Sequence, residues 1–491
     1  MTTPLPIDFR DSANIELAAL GQRLALIIDP AGKLDLQLRK LDTATRKSLS
    51  RLLASESWTS SRPGTILSLG FPAGIASEQL LIVNLPMRPS VDEARTAGAA
   101  LAAHVAPGGL AIFAGHHARI EEVAHALALR SYHFGDHKTA AAPARGQVVF
   151  YLRHPEVVAR AASPLAALAE GVFFTRDLVN EPANILTTSE FASRIAGMAD
   201  LGLKIEILEE DDLRALGMNL LLAVGEGSVT PTKVAVMQWT GLPDSDAPPL
   251  ALIGKGVVFD TGGISLKNPG GMEDMTMDMG GAALVCGVMR TLALRRARVN
   301  VVGVVGLVEN MPAGNAYRPG DVFTSMKGDT VEIISTDAEG RLLLADVMWY
   351  AQQRFKPAVM IDFATLTGNI IAALGAEYAG LFCNDDTLTS RMMGASRTES
   401  EGLWPMPMPP AFDESLKSNV ADVKNKGAVQ GGAIIAARFL SRFVQPGTLW
   451  AHVDIAGVAS LSRDSRLAPR GATGWGVALI NRLIQEHFEK S

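Results

Sequence analysis

The segment GKGVVFDTGGISLK (254–267) places two lysines and an aspartate around one turn. Lys255 lies on an apolar run typical of a strand, Asp260 ends that run, and Lys267 follows a Gly-Gly pair. The glycines let the backbone or a ligand approach these charged groups closely. An exposed Lys-Asp pair at a tight strand connection is the ordinary alternative, because glycine-rich turns after strands are common.

Two later segments add four more charged groups. GGMEDMTMDMGGAA (270–283) has Asp278 among methionines, where an acid is costly to bury without a cation unless it caps the following helix. STDAEGRLLLADVMWYA (335–351) places three charged groups near a helix start: Asp337, Glu339 and Arg341. If strand geometry persists to that point, its two carboxylates face the same side. We expect the helix to begin at or just after Gly340, where its amides and the arginine would hold an anion.

Four carboxylates brought together would repel one another unless cations lay between them: Asp260, Asp278, Asp337 and Glu339. Their charges balance two divalent ions, and oxygen-rich ligation suits Zn²⁺, Mn²⁺, Mg²⁺ or Co²⁺. Two such ions, ~3.5 to 4 Å apart, can hold a water whose pKa is low enough to supply hydroxide near neutrality. The three segments therefore predict a dinuclear metal centre.

The elements that must position these groups follow an α/β pattern. Before residue 155, helix-like stretches such as 91–103 separate five short apolar runs that we expect to be strands: 24–28, 65–69, 80–83, 110–113 and 148–152. Later runs are longer and apolar on both faces, which indicates a central mixed sheet covered by helices: 251–259, 299–308, 330–334 and 358–366. We predict an N-terminal α/β domain (1–155), a linker helix (156–179) and a larger α/β catalytic domain (180–491).

The composition is that of an ordinary soluble globular protein. Of 491 residues, 48% are hydrophobic and 20% charged, and the formal charge of −6 does not favour nucleic acid as a partner. Cys286 and Cys383 form no CxxC pair, so they support neither a disulfide framework nor a thiolate zinc site. The N-terminus lacks the basic and then apolar pattern of a secretory signal. We expect a cytoplasmic protein without a membrane segment.

Seven of the nine histidines fall between positions 104 and 154, which invites a metal hypothesis. His117 and His125 could share a helical face, but they are two turns apart and no HExxH motif occurs. We interpret this group as solvated or core histidines.

The charged segments resemble the signature of the cytosolic leucine aminopeptidase family, hexameric dinuclear metallopeptidases whose hallmark is NTDAEGRL. Here that motif reads STDAEGRL (335–342). The resemblance covers about residues 170 to 480 through further motifs in family order: DLVNEPANILT (177–187), GNAYRPGDVFTSMKG (314–328), ATLTGNIIAALG (364–375), SNVADVKN (418–425) and WAHVDIAGVA (450–459). Before residue 160 the chain resembles the family's N-terminal α/β domain only in type.

Carried over by position, the resemblance implies five metal ligands: Lys255, Asp260, Asp278, Asp337 and Glu339. It implies that Lys267 stabilises the oxyanion at the scissile carbonyl and that Arg341 holds a bicarbonate acting as general base. A lysine ligand binds as the neutral amine, so Lys255 requires a strongly depressed pKa, which burial and neighbouring cations would provide. The first side-chain pocket would be small and largely apolar, suited to Leu or Met: Met275, Thr365, Gly368 and Ala456.

The resemblance therefore implies a homohexameric leucyl aminopeptidase that uses two Mn²⁺ or Zn²⁺ ions and acts on peptides with a free N-terminal amine. One alternative is another dinuclear hydrolase such as a phosphoesterase, although the ligand set has no histidine and Arg341 is its one obvious anion clamp. The second alternative is a DNA-binding or structural oligomer with incidental peptidase activity. Its local support is the basic run RTLALRRAR (290–298), which we interpret as a solvated helix end.

Overall fold

The computed structural model of the chain describes residues 1–21, 23–140, 144–245 and 247–490. The fold divides into two compact units, Met1–Phe173 with Asp464–Pro469, and Phe174–Arg463 with Arg470–Ser491. Each unit has a sheet covered by helices, which confirms the predicted α/β class.

Among its described residues, the smaller unit contains six strands: β1 (Ile7–Asp11), β2 (Arg23–Ile28), β3 (Ile66–Gly70), β4 (Gln79–Asn84), β5 (Leu110–Gly115) and β6 (Val148–Leu152). Its helices are α1 (Leu36–Ala44), α2 (Ser48–Leu53), α3 (Glu56–Thr59), α4 (Val91–Ala102), α5 (Ile120–Arg130) and the first part of α6 (Pro155–Asn180). The strand order is β1-β6-β5-β2-β4-β3, and of these strands β3 alone pairs antiparallel to its neighbour. Strands β2 to β6 lie within two residues of the predicted runs.

Helices α4 and α5 cover one face of this sheet, and the short helices α1 to α3 cover the other. His125 lies buried on α5, whereas His117 lies in the loop before that helix. The two histidines therefore share no helical face, contrary to the arrangement that their spacing allows.

The larger unit has thirteen strands: β7 (Lys204–Leu208), β8 (Lys233–Thr240), β9 (Leu250–Asp260), β10 (Asn300–Asn310), β11 (Val322–Thr324), β12 (Thr330–Glu332), β13 (Val359–Ala364), β14 (Ala379–Cys383), β15 (Leu403–Pro405), β16 (Val423–Lys424), β17 (Leu449–Asp454), β18 (Ser460–Leu461) and β19 (Gly471–Ala472). Its helices after α6 are α7 (Thr188–Ala196), α8 (Glu210–Leu216), α9 (Asn219–Gly225), α10 (Gly280–Leu294), α11 (Glu339–Phe355), α12 (Gly368–Leu374), α13 (Asp386–Glu399), α14 (Gly432–Ser441) and α15 (Val477–His487).

The main sheet of this unit has the order β15-β14-β17-β13-β9-β10-β8-β7. Its four central strands, β17, β13, β9 and β10, run parallel, whereas β14, β8 and β7 pair antiparallel to their inner neighbours. This is the predicted mixed sheet. Ligands of α/β sheets bind beyond the carboxyl ends of the parallel strands, so the ends of these four strands are where a site is expected.

Helix α10 lies directly on the centre of this sheet because glycines remove the side chains between them. A Cβ on Gly281 would lie 2.0 Å from the carbonyl oxygen of Phe363, and one on Gly254 would lie 2.6 Å from the Cα of Ala282. Neither approach is possible for a larger residue. The close packing fixes the segment before α10 against strand β9, and that segment carries Asp278.

Two helical stretches, Pro155–Asn180 and Met272–Leu294, are long and apolar enough to cross a membrane by length and composition alone. Core helices of soluble proteins have the same properties, and 83% of the apolar window in the second stretch is buried inside the protein.

A buried acid joins β13 to β17 in the middle of the sheet. Nδ1 of His452 lies 2.6 Å from Oδ1 of Asp362, and the indole of Trp450 donates to Oδ2 of the same carboxylate at 2.8 Å. All three side chains are fully buried. Burial would lower the pKa of His452, but the charge and hydrogen bond of Asp362, together with the charge of Asp454, outweigh burial and raise it above the ordinary value of 6.5.

We expect Asp362→Asn to lower the free energy of unfolding by about 3 to 5 kcal/mol, because a buried ion pair that loses one partner leaves the other uncompensated. The pKa of His452 is raised on folding, so its contribution is complete below pH 6.5 and is lost as the pH rises through the folded-state pKa. Urea unfolding at several pH values should show the difference between wild type and variant shrinking over that rise. Glu377→Gln, in an exposed pair, should cost less than about 1 kcal/mol. An Asp362→Asn protein as stable as wild type at pH 6 would contradict this assignment.

Candidate active site

Strand β9 supplies the first two charged groups at the carboxyl end of the sheet. Lys255 lies in the second half of the strand and Asp260 ends it, and each is 2% exposed. Oδ1 of Asp260 accepts hydrogen bonds from the amide of Gly262 at 2.8 Å and from the side chain of Asn310 at 2.7 Å. Asp260 is thereby held in one orientation, with its second oxygen directed to Lys267 at 2.7 Å.

The Gly-Gly turn after β9 is the place where the chain needs glycine. Gly262 and Gly263 have φ values of +87° and +64°, which residues with a side chain rarely adopt. A Cβ on Gly262 would also lie 3.0 Å from Oδ1 of Asp337, and one on Gly263 would lie 2.9 Å from Oγ1 of Thr336. The turn therefore packs against the STDAEGRL segment, as the predicted close approach requires.

Asp337 and Glu339 reach the site through a turn and a helix start, not through a strand. Strand β12 ends at Glu332, and α11 begins at Glu339, one residue before the predicted start. The expectation that strand alternation places the two carboxylates on the same side is therefore wrong, because no strand extends to these residues. Their oxygens nevertheless converge, because those of Asp260, Asp337 and Glu339 all lie within 4.8 Å of one another.

Asp278 joins this cluster through Lys255. It lies in the last turn of a 3-10 helix, Met272–Met279, that precedes α10, so it does not cap the α-helix. The ammonium of Lys255 donates to Oδ1 of Asp278 at 2.7 Å, contacts Oε1 of Glu339 at 2.8 Å and donates to the carbonyl of Thr365 at 2.9 Å. Lys267 makes the matching bridge between Asp260 and Asp337. Each lysine thus separates two carboxylates, and the four acids form one continuous cluster.

Burial and mutual repulsion both act on these acids. Burial, followed by the charges of neighbouring carboxylates, raises the pKa of Glu339, and it raises that of Asp278 well above the usual range. Burial would lower the pKa of Lys255, but the surrounding carboxylates outweigh it and raise that pKa instead. The depressed pKa that a lysine ligand requires is therefore not produced by the charges of the protein alone. Its amine can become neutral only when other cations balance the acids.

Three buried polar atoms near the cluster have no hydrogen-bond partner among the described residues: Oδ2 of Asp278, Nε of Arg341 and Oδ1 of Asn310. An unpaired buried carboxylate oxygen is costly, and a cation satisfies it. Arg341 lies in the first turn of α11, where burial lowers its pKa to about 10, and one of its terminal nitrogens donates to the carbonyl of Asn425 at 2.9 Å. The donor set therefore fits divalent ions among the acids, and the arginine has a free donor for an anion.

Gly340 makes room for the lysine that reaches the centre of the cluster. A Cβ at this position would lie 2.7 Å from Cε and 2.8 Å from Cδ of Lys255. It would also lie 2.9 Å from Cδ1 of Leu366. The side chain of Lys255 is thus clamped against the first turn of α11, which limits where its nitrogen can lie.

Every residue that the sequence analysis places in the site lines one cavity of about 440 Å³: Lys255, Asp260, Lys267, Met275, Asp278, Asp337, Glu339, Arg341, Thr365, Gly368 and Ala456. The metal-ligand candidates come from β9, the 3-10 helix and the segment that enters α11. The four pocket candidates come from the 3-10 helix, the start of α12 and the residues just after β13 and β17. Thr365 links the two groups because its hydroxyl donates to Oδ1 of Asp278 at 2.8 Å. The cavity therefore brings together all the predicted groups.

Three buried polar residues that the sequence analysis does not single out hold these groups in place. Asn310, at the end of β10, donates to Asp260 at 2.7 Å and to the carbonyl of Thr336 at 3.0 Å. Asp454, at the end of β17, accepts from the hydroxyl of Thr367 at 2.7 Å and so fixes the turn beside Thr365. Asn425, just after β16, is the third. Asn310 and Asp454 each end an apolar strand, a signal that marks their positions but not their partners.

We expect divalent ions to stabilise the folded protein. Adding Mn²⁺ at about 100 times its dissociation constant to metal-stripped protein should contribute about 2.7 kcal/mol, a rise in Tm of about 3 to 4 °C for a protein of this size. Asp278→Asn, which removes the charge beside the unpaired oxygen, should reduce that rise. Scanning calorimetry with and without the ion measures both effects. Equal Tm values in the presence and absence of Mn²⁺, Zn²⁺ and Co²⁺ would count against a metal centre.

Comparison with known proteins identifies the family. The family described as "Cytosol aminopeptidase family, catalytic domain" matches residues 173–481. A "Probable cytosol aminopeptidase" of Cereibacter sphaeroides is 53% identical over 490 residues, with 100% of each chain covered. A protein of the same name from Caulobacter vibrioides is 44% identical over 497 residues, with 99% of each chain covered. Among solved structures, "Bottromycin maturation enzyme BotP in complex with Mn" superposes with a TM-score of 0.81 at 31% identity and covers 95% of this chain and 99% of its own.

These relatives confirm the resemblance that the STDAEGRL segment and its companion motifs indicate. They also span the full length of the chain, including the N-terminal part that contains none of these motifs. The chain belongs to the cytosol aminopeptidase family, and it is a hydrolase of the aminopeptidase type.

Proposed function

We propose that the protein is a leucyl aminopeptidase that removes one residue at a time from peptides with a free N-terminal amine. The observation that carries this proposal is the convergence of four carboxylates and two lysines in one cavity, with an unpaired oxygen of Asp278 buried among them. Family membership supplies the reaction class, and the cavity supplies the groups that such a reaction needs.

Two divalent ions, Mn²⁺ or Zn²⁺, would be held by five ligands: Lys255, Asp260, Asp278, Asp337 and Glu339. Such ions, when bound, lower the pKa of a shared water and polarise a carbonyl. The match to a neighbour whose title names a complex with Mn supports a divalent ion, and so does the acidic cluster. Asn310 would keep Asp260 from rotating away, since it occupies the oxygen that faces the sheet.

Lys267 and Arg341 would act on the reaction itself. Lys267 is partly exposed at the cavity, and its neighbouring carboxylates raise its pKa, so it remains an ammonium that can stabilise the oxyanion formed at the scissile carbonyl. Arg341 would hold a bicarbonate through its free donor, and that ion would supply the general base.

Removal of a single residue follows from where the acids lie. A free α-amine would contact Asp278, which an acylated N-terminus could not do. The side chain of the first residue would then enter the four-residue pocket, which is small and mostly apolar and suits Leu or Met: Met275, Thr365, Gly368 and Ala456. We also propose that the protein is a cytoplasmic homohexamer, in keeping with the names of its relatives and the family resemblance.

The test is hydrolysis of leucine p-nitroanilide by metal-stripped protein reconstituted separately with Mn²⁺, Zn²⁺, Co²⁺ and Mg²⁺, each with and without bicarbonate. We expect activity to return with at least one ion and to increase with bicarbonate. N-acetyl-leucine p-nitroanilide should remain uncleaved, and p-nitrophenyl phosphate should separate the phosphoesterase alternative. No hydrolysis of leucine p-nitroanilide with any ion would refute the proposal.

The DNA-binding alternative loses part of its local support in the structure. Arg295, in the basic run 290–298, donates to the side chain of Asn481 at 2.7 Å and pairs with Glu489, and its side chain is 7% exposed. The interpretation of this run as a solvated helix end is therefore wrong for Arg295. Arg296 and Arg298 are exposed.

A further inference from the structure

One wall of the cavity has no role in the proposed metal centre or in the first side-chain pocket. It is the connection from β16 to α14, where residues 426–429 line the cavity. The pocket for the first residue comes from other elements: the 3-10 helix, the start of α12 and the residues just after β13 and β17. A peptide whose first residue lies in that pocket must direct its second residue along the remaining wall.

The start of this wall is fixed to the site. Asn425 is fully buried, and its side-chain oxygen accepts from the amide of Ile334 at 2.8 Å while its amide donates to the carbonyl of Ser335 at 2.7 Å. Its own carbonyl accepts from Arg341 at 2.9 Å. The backbone just before Lys426 is therefore held beside the STDAEGRL segment, which limits the movement of Lys426 away from the site.

Lys426 differs from the other lysines of the cavity in its ion pairing. Lys255 and Lys267 each contact two carboxylates within 3 Å. Lys426 is exposed, lines the cavity, and makes no ion pair within the part of the chain that the structure describes. Among the lining residues outside the metal centre and its catalytic pair, it is the one with a charged side chain.

We propose that Lys426 selects substrates that carry a carboxylate on the leaving-group side of the scissile bond. This inference rests on the proposed aminopeptidase function. The carboxylate has two possible sources, the side chain of an acidic second residue and the C-terminus of a dipeptide. An exposed lysine at a fixed wall attracts either one, and an exposed ion pair of this kind changes affinity by about threefold to fivefold.

Four leucyl substrates of similar size test the proposal: leucyl-glutamine amide, leucyl-glutamate α-amide, leucyl-glutamine with a free carboxylate, and leucyl-lysine amide. The measured quantity is the ratio of kcat/KM for each charged substrate to that for the neutral amide, so each protein serves as its own reference. We expect wild type to favour one or both carboxylates by about threefold to fivefold, with the ratio falling as salt is added. Preference for the glutamate α-amide identifies the side chain as the source, and preference for the free dipeptide identifies the C-terminus.

The ratio should fall to about one in Lys426→Gln and should turn in favour of leucyl-lysine amide in Lys426→Glu. Lys424→Gln is the matched control, because Lys424 lies two residues earlier on β16 and does not line the cavity. It should keep the wild-type ratio. Equal rates for charged and neutral substrates in wild type, or a preference that survives in Lys426→Gln, would overturn the inference alone. Failure of wild type to cleave even leucyl-glutamine amide with any ion would instead refute the proposed function, and this inference with it.

Discussion

Asp337→Asn should lower kcat/KM for leucine p-nitroanilide by at least about a thousandfold, equivalent to about 4 kcal/mol of transition-state stabilisation. The oxygens of Asp337 lie within 4.8 Å of those of Asp260 and Glu339, so asparagine removes one charge from the centre of the cluster. It also removes an ionic partner of Lys267. Because the side chain is 34% exposed and lies in a loop, the substitution should leave folding intact.

Steady-state kinetics on the reconstituted variant gives the size of the loss, and thermal melting monitored by circular dichroism checks the fold. Asp386→Asn is the matched control, since Asp386 is an exposed acid in the first turn of α13 and is remote from the cavity lining. Its rate should equal that of wild type. If Asp337→Asn turned over at a near-normal rate, Asp337 would not belong to the site.

Lys267→Gln should lower kcat by about 10²- to 10³-fold with a much smaller change in KM. This is the usual cost of losing one donor that stabilises an oxyanion, because such a donor acts mainly in the transition state. Lys267 contacts Asp260 at 2.7 Å, and the surrounding carboxylates raise its pKa, so the wild-type group is charged throughout the neutral range. Glutamine keeps a hydrogen-bond donor but lacks that charge.

The split between kcat and KM distinguishes this role from a merely structural one. Lys417→Gln removes a lysine from an exposed pair with Glu414 and should change neither parameter. A Lys267→Gln enzyme that lost affinity for substrate but kept its kcat would show that Lys267 stabilises the bound substrate and the transition state equally. Metal content measured on the same preparations separates loss of chemistry from loss of ions.

The central strands were predictable because a strand that is buried on both faces appears in the sequence as a continuous apolar run. The runs 251–259 and 299–308 became β9 and β10 with shifts of one or two residues. Strand β1 was missed, since IDFRD alternates at a sheet edge and carries too few apolar residues to stand out. The order of strands was beyond sequence reasoning. Strand β13 lies beside β9 although about a hundred residues separate them, and no local pattern encodes that pairing.

The site divides in the same way. Charged residues beside glycines were identifiable, because such side chains are seldom placed near tight turns in an apolar sheet without a partner. The local geometry was less accessible, because Asp337 and Glu339 converge through a turn that replaces the expected strand. Asn310 and Asp454 were missed because a polar residue at a strand end reveals its role only when its partners, distant in sequence, are known.

Gly340 bears no functional group, yet the position of the Lys255 amine depends on it. A single methyl group there would displace the side chain of Lys255, so we expect Gly340→Ala to disable the enzyme although no ligand or catalytic residue changes in the sequence. A survey of homologues that checked only the ligands and catalytic residues would classify a chain with this substitution as an active enzyme. We therefore expect substitutions at positions 255 and 340 to occur together in homologues that have lost catalytic activity, because the two changes are tolerated jointly.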